Sequence, residues 1–214
     1  MTNLIMIRHG QSVANEEDKF AGHSDFDLTD LGRTQAELAG EYVKNHFKVD
    51  AVYASDLKRA FNTAVPSAHA FGLEVTPDEN LREIYAGEWE AMPFAQVISD
   101  YPADFLLWKN DLANAYCPGG ETVAELTERV CGEVCRICER HDGQTVLIAT
   151  HATPVRAVQG AASGKSTSDI AFVANASINL FTYENGKLAI KELNIVEHLG
   201  DLMTTLPGDF DKDE

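Results

Sequence analysis

The sequence predicts an α/β fold in three layers, α/β/α, with helices on both faces of a mostly parallel central sheet and a mainly helical insertion. Two observations lead there. Short apolar runs that read as buried strands alternate with longer segments whose apolar residues recur at helical spacing. The strand ends also carry arginine, histidine and serine, and in such folds ligands sit outside the carboxyl ends of the strands.

Taken in order, Leu4 to Ile7 is an apolar run that stops abruptly at Arg8-His9-Gly10, a strand entering a polar turn. Thr29 or Asp30 then caps a helix on which Leu31, Leu38, Ala39, Tyr42 and Val43 recur at helical spacing, up to about Phe47. Ala51 to Ala54 is a second strand, ending at Ser55-Asp56. A helix from about Leu57 to Phe71 follows, stopped by Gly72, and Leu73 to Thr76 reads as a strand before Pro77. From 87 to 120 the pattern turns irregular, with two tryptophans, three prolines and short helical pieces. This segment is expected to be an insertion lying over the active site. Glu121 to about Arg140 is a long amphipathic helix stopped by Asp142-Gly143, and Thr145 to Thr150 is a buried strand ending at His151. A helix from about Thr153 to Ala162 precedes two last strands, Ser177 to Tyr183 and Leu188 to Ile195. Glu184-Asn185-Gly186 joins these as a hairpin turn. Residues 1–205 read as one domain, and 206–214 as an acidic tail expected to be disordered.

Composition narrows the function. A chain of 214 residues with 44% hydrophobic content can bury a full core. Its 17 basic and 34 acidic side chains give a net charge of -17, which argues against gripping nucleic acid. An anionic ligand would need a local basic pocket within that field. No apolar run approaches the ~20 residues of a membrane helix, and the N-terminus lacks a secretory pattern. Cys117, Cys131, Cys135 and Cys138 are too few and too clustered for a disulfide framework, so a reduced, cytoplasmic setting is expected. Without a secretory route the glycosylation sequon Asn175-Ala176-Ser177 is idle. A homodimer is left open. The spacing of Cys131, Cys135 and Cys138 resembles an iron–sulfur site but lies within a helical pattern, where small core residues are expected. Gly160 to Ser166 resembles a P-loop, yet it is one residue short and follows a helix instead of a strand.

The strand ends carry the chemistry. Arg8-His9-Gly10-Gln11-Ser12, with Asn15 beyond, follows the first strand, and Arg59 starts the helix after the second. Glu83 follows Leu81-Arg82, and His151 ends the strand Thr145 to Thr150. Two histidines, two arginines, an amide and a carboxylate suit phosphoryl transfer. Arginines hold a tetrahedral dianion by forked hydrogen bonds, a neutral imidazole can attack phosphorus, and a carboxyl group can protonate the leaving alkoxide.

These residues resemble the histidine phosphatase, or phosphoglycerate mutase-like, superfamily. Besides the first block, Phe20-Ala21-Gly22, Ser55-Asp56-Leu57…Arg59-Ala60, Leu81-Arg82-Glu83…Gly87-Glu88-Trp89-Glu90, Pro118-Gly119-Gly120-Glu121-Thr122 and Thr150-His151…Arg156 fall in the family's order. The resemblance implies that His9 is the phosphorylated nucleophile and Glu83 the general acid and base. It implies that Arg8, Arg59 and His151 line the phosphate pocket, with Asn15 and Gln11 donating hydrogen bonds and Ala21 and Gly22 offering backbone contacts. Ala152 stands where the family usually has glycine, and its amide can still face the phosphate. No metal or other cofactor is implied, since arginine and imidazole supply the positive charge. Arg156 is expected to be a structural helix residue, and His23 either to touch substrate or to be an exposed loop residue.

The implied activity is a metal-independent phosphomonoesterase of the broad-specificity phosphatase branch, acting on small phosphorylated metabolites and peaking on the mildly acidic side. A cofactor-dependent phosphoglycerate mutase is the alternative. A phospho-ligand binding module that has lost catalysis is the third reading.

Overall fold

The computed structural model describes residues 1–204, and the acidic tail at 206–214 lies outside them. The strands are β1 (Thr2–Arg8), β2 (Ala51–Ala54), β3 (Val75–Pro77), β4 (Thr145–Thr150), β5 (Ile178–Glu184) and β6 (Lys187–Ile195). The helices are α1 (Val13–Glu16), α2 (Asp30–His46), α3 (Lys58–Ala70), α4 (Phe94–Asp100), α5 (Pro102–Asn110), α6 (Val123–Arg140) and α7 (Ala152–Ser163). The six strands form one sheet in the order β3-β2-β4-β1-β5-β6. β3, β2, β4 and β1 pair in parallel, while β5 joins β1 and β6 joins β5 in antiparallel fashion.

Alternation along the parallel strands divides the core. Ile5, Ile7, Val52, Leu147 and Ala149 face one way, onto Ala39 and Val43 of α2 and Ala64 and Ala68 of α3. Leu4, Met6, Val146 and Ile148 face the other, onto α6 and α7. β1, β2 and β4 are buried on both sides, the reason their sequences read as nearly unbroken hydrophobic runs. Segment 87–120 packs Trp89, Val97 and Phe105 into the same core as α6.

Caps set the helix ends. The Thr29 hydroxyl accepts from the Gly32 amide at 3.0 Å and starts α2, and Thr122 forms a reciprocal capping box with Glu125 at the start of α6. In the closing hairpin Asn185 and Gly186 take φ of 52° and 78°, the paired left-handed geometry of a tight two-residue turn. The one-turn α1 is an addition to the expected elements, and β3 begins at Val75 instead of Leu73. Cys131, Cys135 and Cys138 lie on α6 against the core, and among the described residues no group of three or more His, Cys, Asp or Glu is placed to hold a metal ion. Gly160 to Ser166 spans the end of α7, where Gly164 with φ 70° is the C-cap. Among the described residues no helix is long and apolar enough to cross a membrane.

Candidate active site

Parallel register assembles the site. Arg8 of β1 pairs with Thr150 of β4, so the next residues, His9 and His151, emerge side by side with ring centroids 5.1 Å apart. The His9 amide is tied to the Thr150 carbonyl at 2.8 Å. The loop then turns hard against the start of α2. A Cβ on Gly10 would stand 2.4 Å from the Gly32 carbonyl oxygen, and one on Gly32 would stand 1.9 Å from that of Gln11. Glycine at both positions is what permits this approach.

The His9 ring is defined by one contact. Its Nδ1 lies 2.7 Å from the Gly10 carbonyl oxygen, which can only accept, so Nδ1 carries the proton and Nε2 keeps the lone pair. Burial, then the charges of Arg59 and Arg8, push His9 well below the usual histidine range, and burial with Arg59 does the same to His151. Both rings are neutral at pH 7.

Arg59 is fully buried and reaches under the loop after α1, donating from Nη1 to the Ser24 carbonyl at 2.9 Å and from Nη2 to the Gly22 carbonyl at 2.7 Å. Arg8 donates from Nη1 to the Val173 carbonyl, and its guanidinium lies 5.1 Å from the centroid of the Phe172 ring. Burial pushes both guanidinium groups down to about 10, leaving them charged at neutral pH. The Nε of Arg8, the Nε of Arg59 and both ring nitrogens of His151 are buried with no hydrogen-bond partner in the protein. Buried cations with unspent donors are costly unless an anion meets them. Glu83 accepts from its neighbour Ile84 at 3.0 Å and, through Oε2, from the Thr153 amide in the first turn of α7 at 3.4 Å.

A cavity of about 450 Å³ opens over these groups. Arg8, His9, Arg59 and Glu83 line it, together with Asn15, Ala21, Gly22 and Ala152. His151, its ring edge-on to that of His9, is not part of the lining. Gln11 departs from expectation. It does not line the cavity, because its Oε1 accepts from the Thr29 hydroxyl at 2.8 Å and turns the side chain toward the cap of α2. His23 also stays out of the lining, its ring nitrogen 2.9 Å from the Glu83 carbonyl oxygen.

Two residues gain roles that sequence reasoning did not assign, and a third adds to its expected one. Glu90 clamps the 21–24 loop, accepting from the amides of His23 at 2.7 Å, Ser24 at 2.8 Å and Ala86 at 2.9 Å. Gly22 there has φ 50°, and a Cβ would stand 2.0 Å from a Glu90 oxygen. Asn175, 3% exposed, donates from Nδ2 to the His9 carbonyl at 3.0 Å and to Asn15 Oδ1 at 3.2 Å, and accepts from the Thr204 hydroxyl at 3.1 Å. With Asn15 Oδ1 also taken by the Ser12 amide and hydroxyl, the remaining Asn15 donor is its Nδ2. Arg156 is structural as expected, donating to the carbonyls of Thr167 and Ile170, and it forms part of the cavity wall as well. For Glu90 the signal was its place in a family block; for Asn175 there was none.

The sequence profile of the histidine phosphatase superfamily (branch 1) matches residues 4–196. Phosphoserine phosphatase 1 of Hydrogenobacter thermophilus is 35% identical over 204 residues, covering 94% of this chain and 96% of that one. Among solved structures, Bacillus stearothermophilus YhfR superposes with a TM-score of 0.88 at 26% identity, over 93% of this chain and all of its own. A mycobacterial glucosyl-3-phosphoglycerate phosphatase in complex with VO3 gives 0.83 at 28% identity, over 90% of this chain and 98% of its own.

Proposed function

The chain belongs to the histidine phosphatase superfamily and is a phosphatase, and on that premise we propose that it hydrolyses small phosphate monoesters through a phosphohistidine formed on His9. The observation that carries this reading is a neutral His9 with Nε2 free, set among the unspent donors of Arg8, Arg59 and His151.

In the first step the Nε2 lone pair attacks phosphorus as the bond to the ester oxygen breaks, and the Glu83 carboxyl proton passes to the departing alkoxide. Arg8 and Arg59 hold the non-bridging oxygens and offset the charge that gathers on them, with Asn15 and the Ala152 amide at the start of α7 beside them. In the second step the Glu83 carboxylate takes a proton from water. The water oxygen bonds to phosphorus, the N–P pair returns to Nε2, and inorganic phosphate leaves. Each step needs only positive charge already present in the chain, so no metal enters the scheme.

The supporting similarity is to phosphatases named for phosphoserine and for glucosyl-3-phosphoglycerate, both small phosphorylated metabolites. The test is phosphate release from p-nitrophenyl phosphate at pH 5–8, in EDTA, by the native protein and by His9→Ala. Turnover that survives EDTA and vanishes in the variant is expected. Loss in EDTA with rescue by zinc or magnesium would overturn the metal-free scheme. A silent native protein that interconverts monophosphoglycerates with 2,3-bisphosphoglycerate would make it a mutase.

A further inference from the structure

The acid of the proposed mechanism, Glu83, stands on irregular backbone. It lies between two short 3₁₀ turns, Glu79–Leu81 and Gly87–Trp89, and residues 82–86 belong to no helix or strand. Its carboxyl group accepts from the Ile84 and Thr153 amides, the second at 3.4 Å. Among the described residues its carbonyl accepts from side chains alone, His23 at 2.9 Å and Arg129 at 3.3 Å.

Arg129 gathers the whole segment. It projects from α6, a helix of 18 residues that its neighbours Leu126 and Val130 anchor in the core. Its Nη1 donates to the carbonyls of Asn80 at 2.9 Å and Arg82 at 3.1 Å, and its Nη2 to that of Glu83. Nε and Nη2 also meet the two carboxylate oxygens of Glu121 at 3.0 Å and 2.8 Å, a fork that fixes the guanidinium plane. Glu121 in turn accepts from the Tyr85 amide at 3.2 Å, and its own amide donates to the Tyr85 carbonyl at 2.9 Å. One planar cation thus ties three carbonyls of an irregular stretch to a rigid helix. Arg129 is not part of the cavity lining, so its effect on the reaction runs through Glu83.

Resting on the phosphatase reading above, we propose that Arg129 is a positioning residue for the general acid, its guanidinium fork fixing the backbone of Glu83 so that the carboxyl group meets the leaving oxygen. Lysine cannot replace it, because an ammonium group is a point charge without the planar fork. Misplacing a reacting group by about 1 Å costs about a hundredfold. The acid's own contribution, about 10²–10⁴-fold, sets the upper limit.

The test measures kcat/KM, which reads only the transfer to His9, for ethyl phosphate and p-nitrophenyl phosphate. The variants are Arg129→Lys, which keeps a cation opposite Glu121, and Arg129→Met combined with Glu121→Gln, which strands no charge if the lysine variant folds poorly. Ethyl phosphate should lose about ten- to a hundredfold, and p-nitrophenyl phosphate, whose leaving group needs no proton, less than about threefold. Placed on top of Glu83→Gln, the same change should cost ethyl phosphate nothing further, since the group it positions is already gone. Equal losses on both esters, a full further loss in the Glu83→Gln background, or unchanged rates would each overturn the proposal. A native protein that hydrolyses neither ester sinks the phosphatase reading itself, and this assignment with it.

Discussion

Replacing Asn175 with alanine should slow catalysis beyond what its effect on stability explains. The substitution removes the Nδ2 bonds to the His9 carbonyl and to Asn15 Oδ1 and leaves the Thr204 hydroxyl without its acceptor. None of the partners inside is orphaned. The His9 carbonyl keeps the Ala176 amide at 3.2 Å, and Asn15 Oδ1 keeps both Ser12 donors at 3.1 Å. Each lost bond then costs near the middle of the usual range, about 1 kcal/mol, instead of the larger penalty of a stranded buried group. Two such bonds give about 2 kcal/mol, or a fall in Tm of roughly 4–8 °C for a chain of this size. The catalytic effect is separate. Asn15, which faces the phosphate on the proposed mechanism, loses one of the three donors that fix its Oδ1, and the loop holding His9 loosens on the side that Asn175 supports. Loss of positioning on this scale should reduce kcat about tenfold, with a smaller change in KM. Phosphate release at 25 °C, well below the lowered Tm, together with calorimetric unfolding, separates the two effects. Full kcat alongside the lowered Tm would make Asn175 a structural residue only.

Glu83→Gln preserves the shape and can keep only one of the two amide contacts, since its amide nitrogen cannot accept, and it cannot deliver a proton. It should cost about 10²–10⁴-fold in kcat/KM, which reads only the transfer to His9, with an alkyl phosphate and far less with p-nitrophenyl phosphate, whose leaving group needs no protonation; equal losses of kcat/KM on both substrates would remove the acid role. His9 and His151 protonate near 6.5 in the unfolded chain and at much lower pH in the fold, so below about 6.5 the unfolded state binds more protons and stability falls as pH falls. The two together steepen the loss by up to about 2.7 kcal/mol per pH unit, and unfolding of His9→Gln between pH 7.5 and 5 should show about half that steepness. An unchanged slope would refute the assignment.

Much of the fold was legible because β2 and β4 are short apolar runs bounded by polar turns, and both end where the sequence places them. The hairpin was equally open to reading, since Asn185-Gly186 suits one turn geometry. α1 was not, because a single turn has no periodicity to detect, and its capping pair Ser12 and Asn15 had another role in view. β3 starts late because an edge strand extends only as far as its one neighbour, here Val52 to Ala54. The polar groups of the site were read from residue type at strand ends. The placement of Gln11 outside the cavity lining was not legible, because the direction of its side chain depends on Thr29, a helix cap elsewhere in the chain. Asn175 was invisible because its partner, the His9 carbonyl, lies 166 positions away, and locally it looks like a glycosylation sequon. The insertion aromatics could not be sorted in advance. Trp89 and Phe105 are buried in the core while Trp108 faces the cavity, a division set by how α5 packs and not by local pattern.

On the mechanism proposed above, the unspent donors of Arg8, Arg59 and His151 meet a phosphate whether or not an alcohol is attached to it. Inorganic phosphate therefore competes for the same cradle as the ester, and the pace of the cycle is set partly by how readily product departs. The surrounding charge of -17 acts on that exit. A negative field opposes the arrival of any dianion and equally shortens its stay. On the proposed mechanism the acidity of the chain trades slower capture of the ester for faster departure of the phosphate it releases.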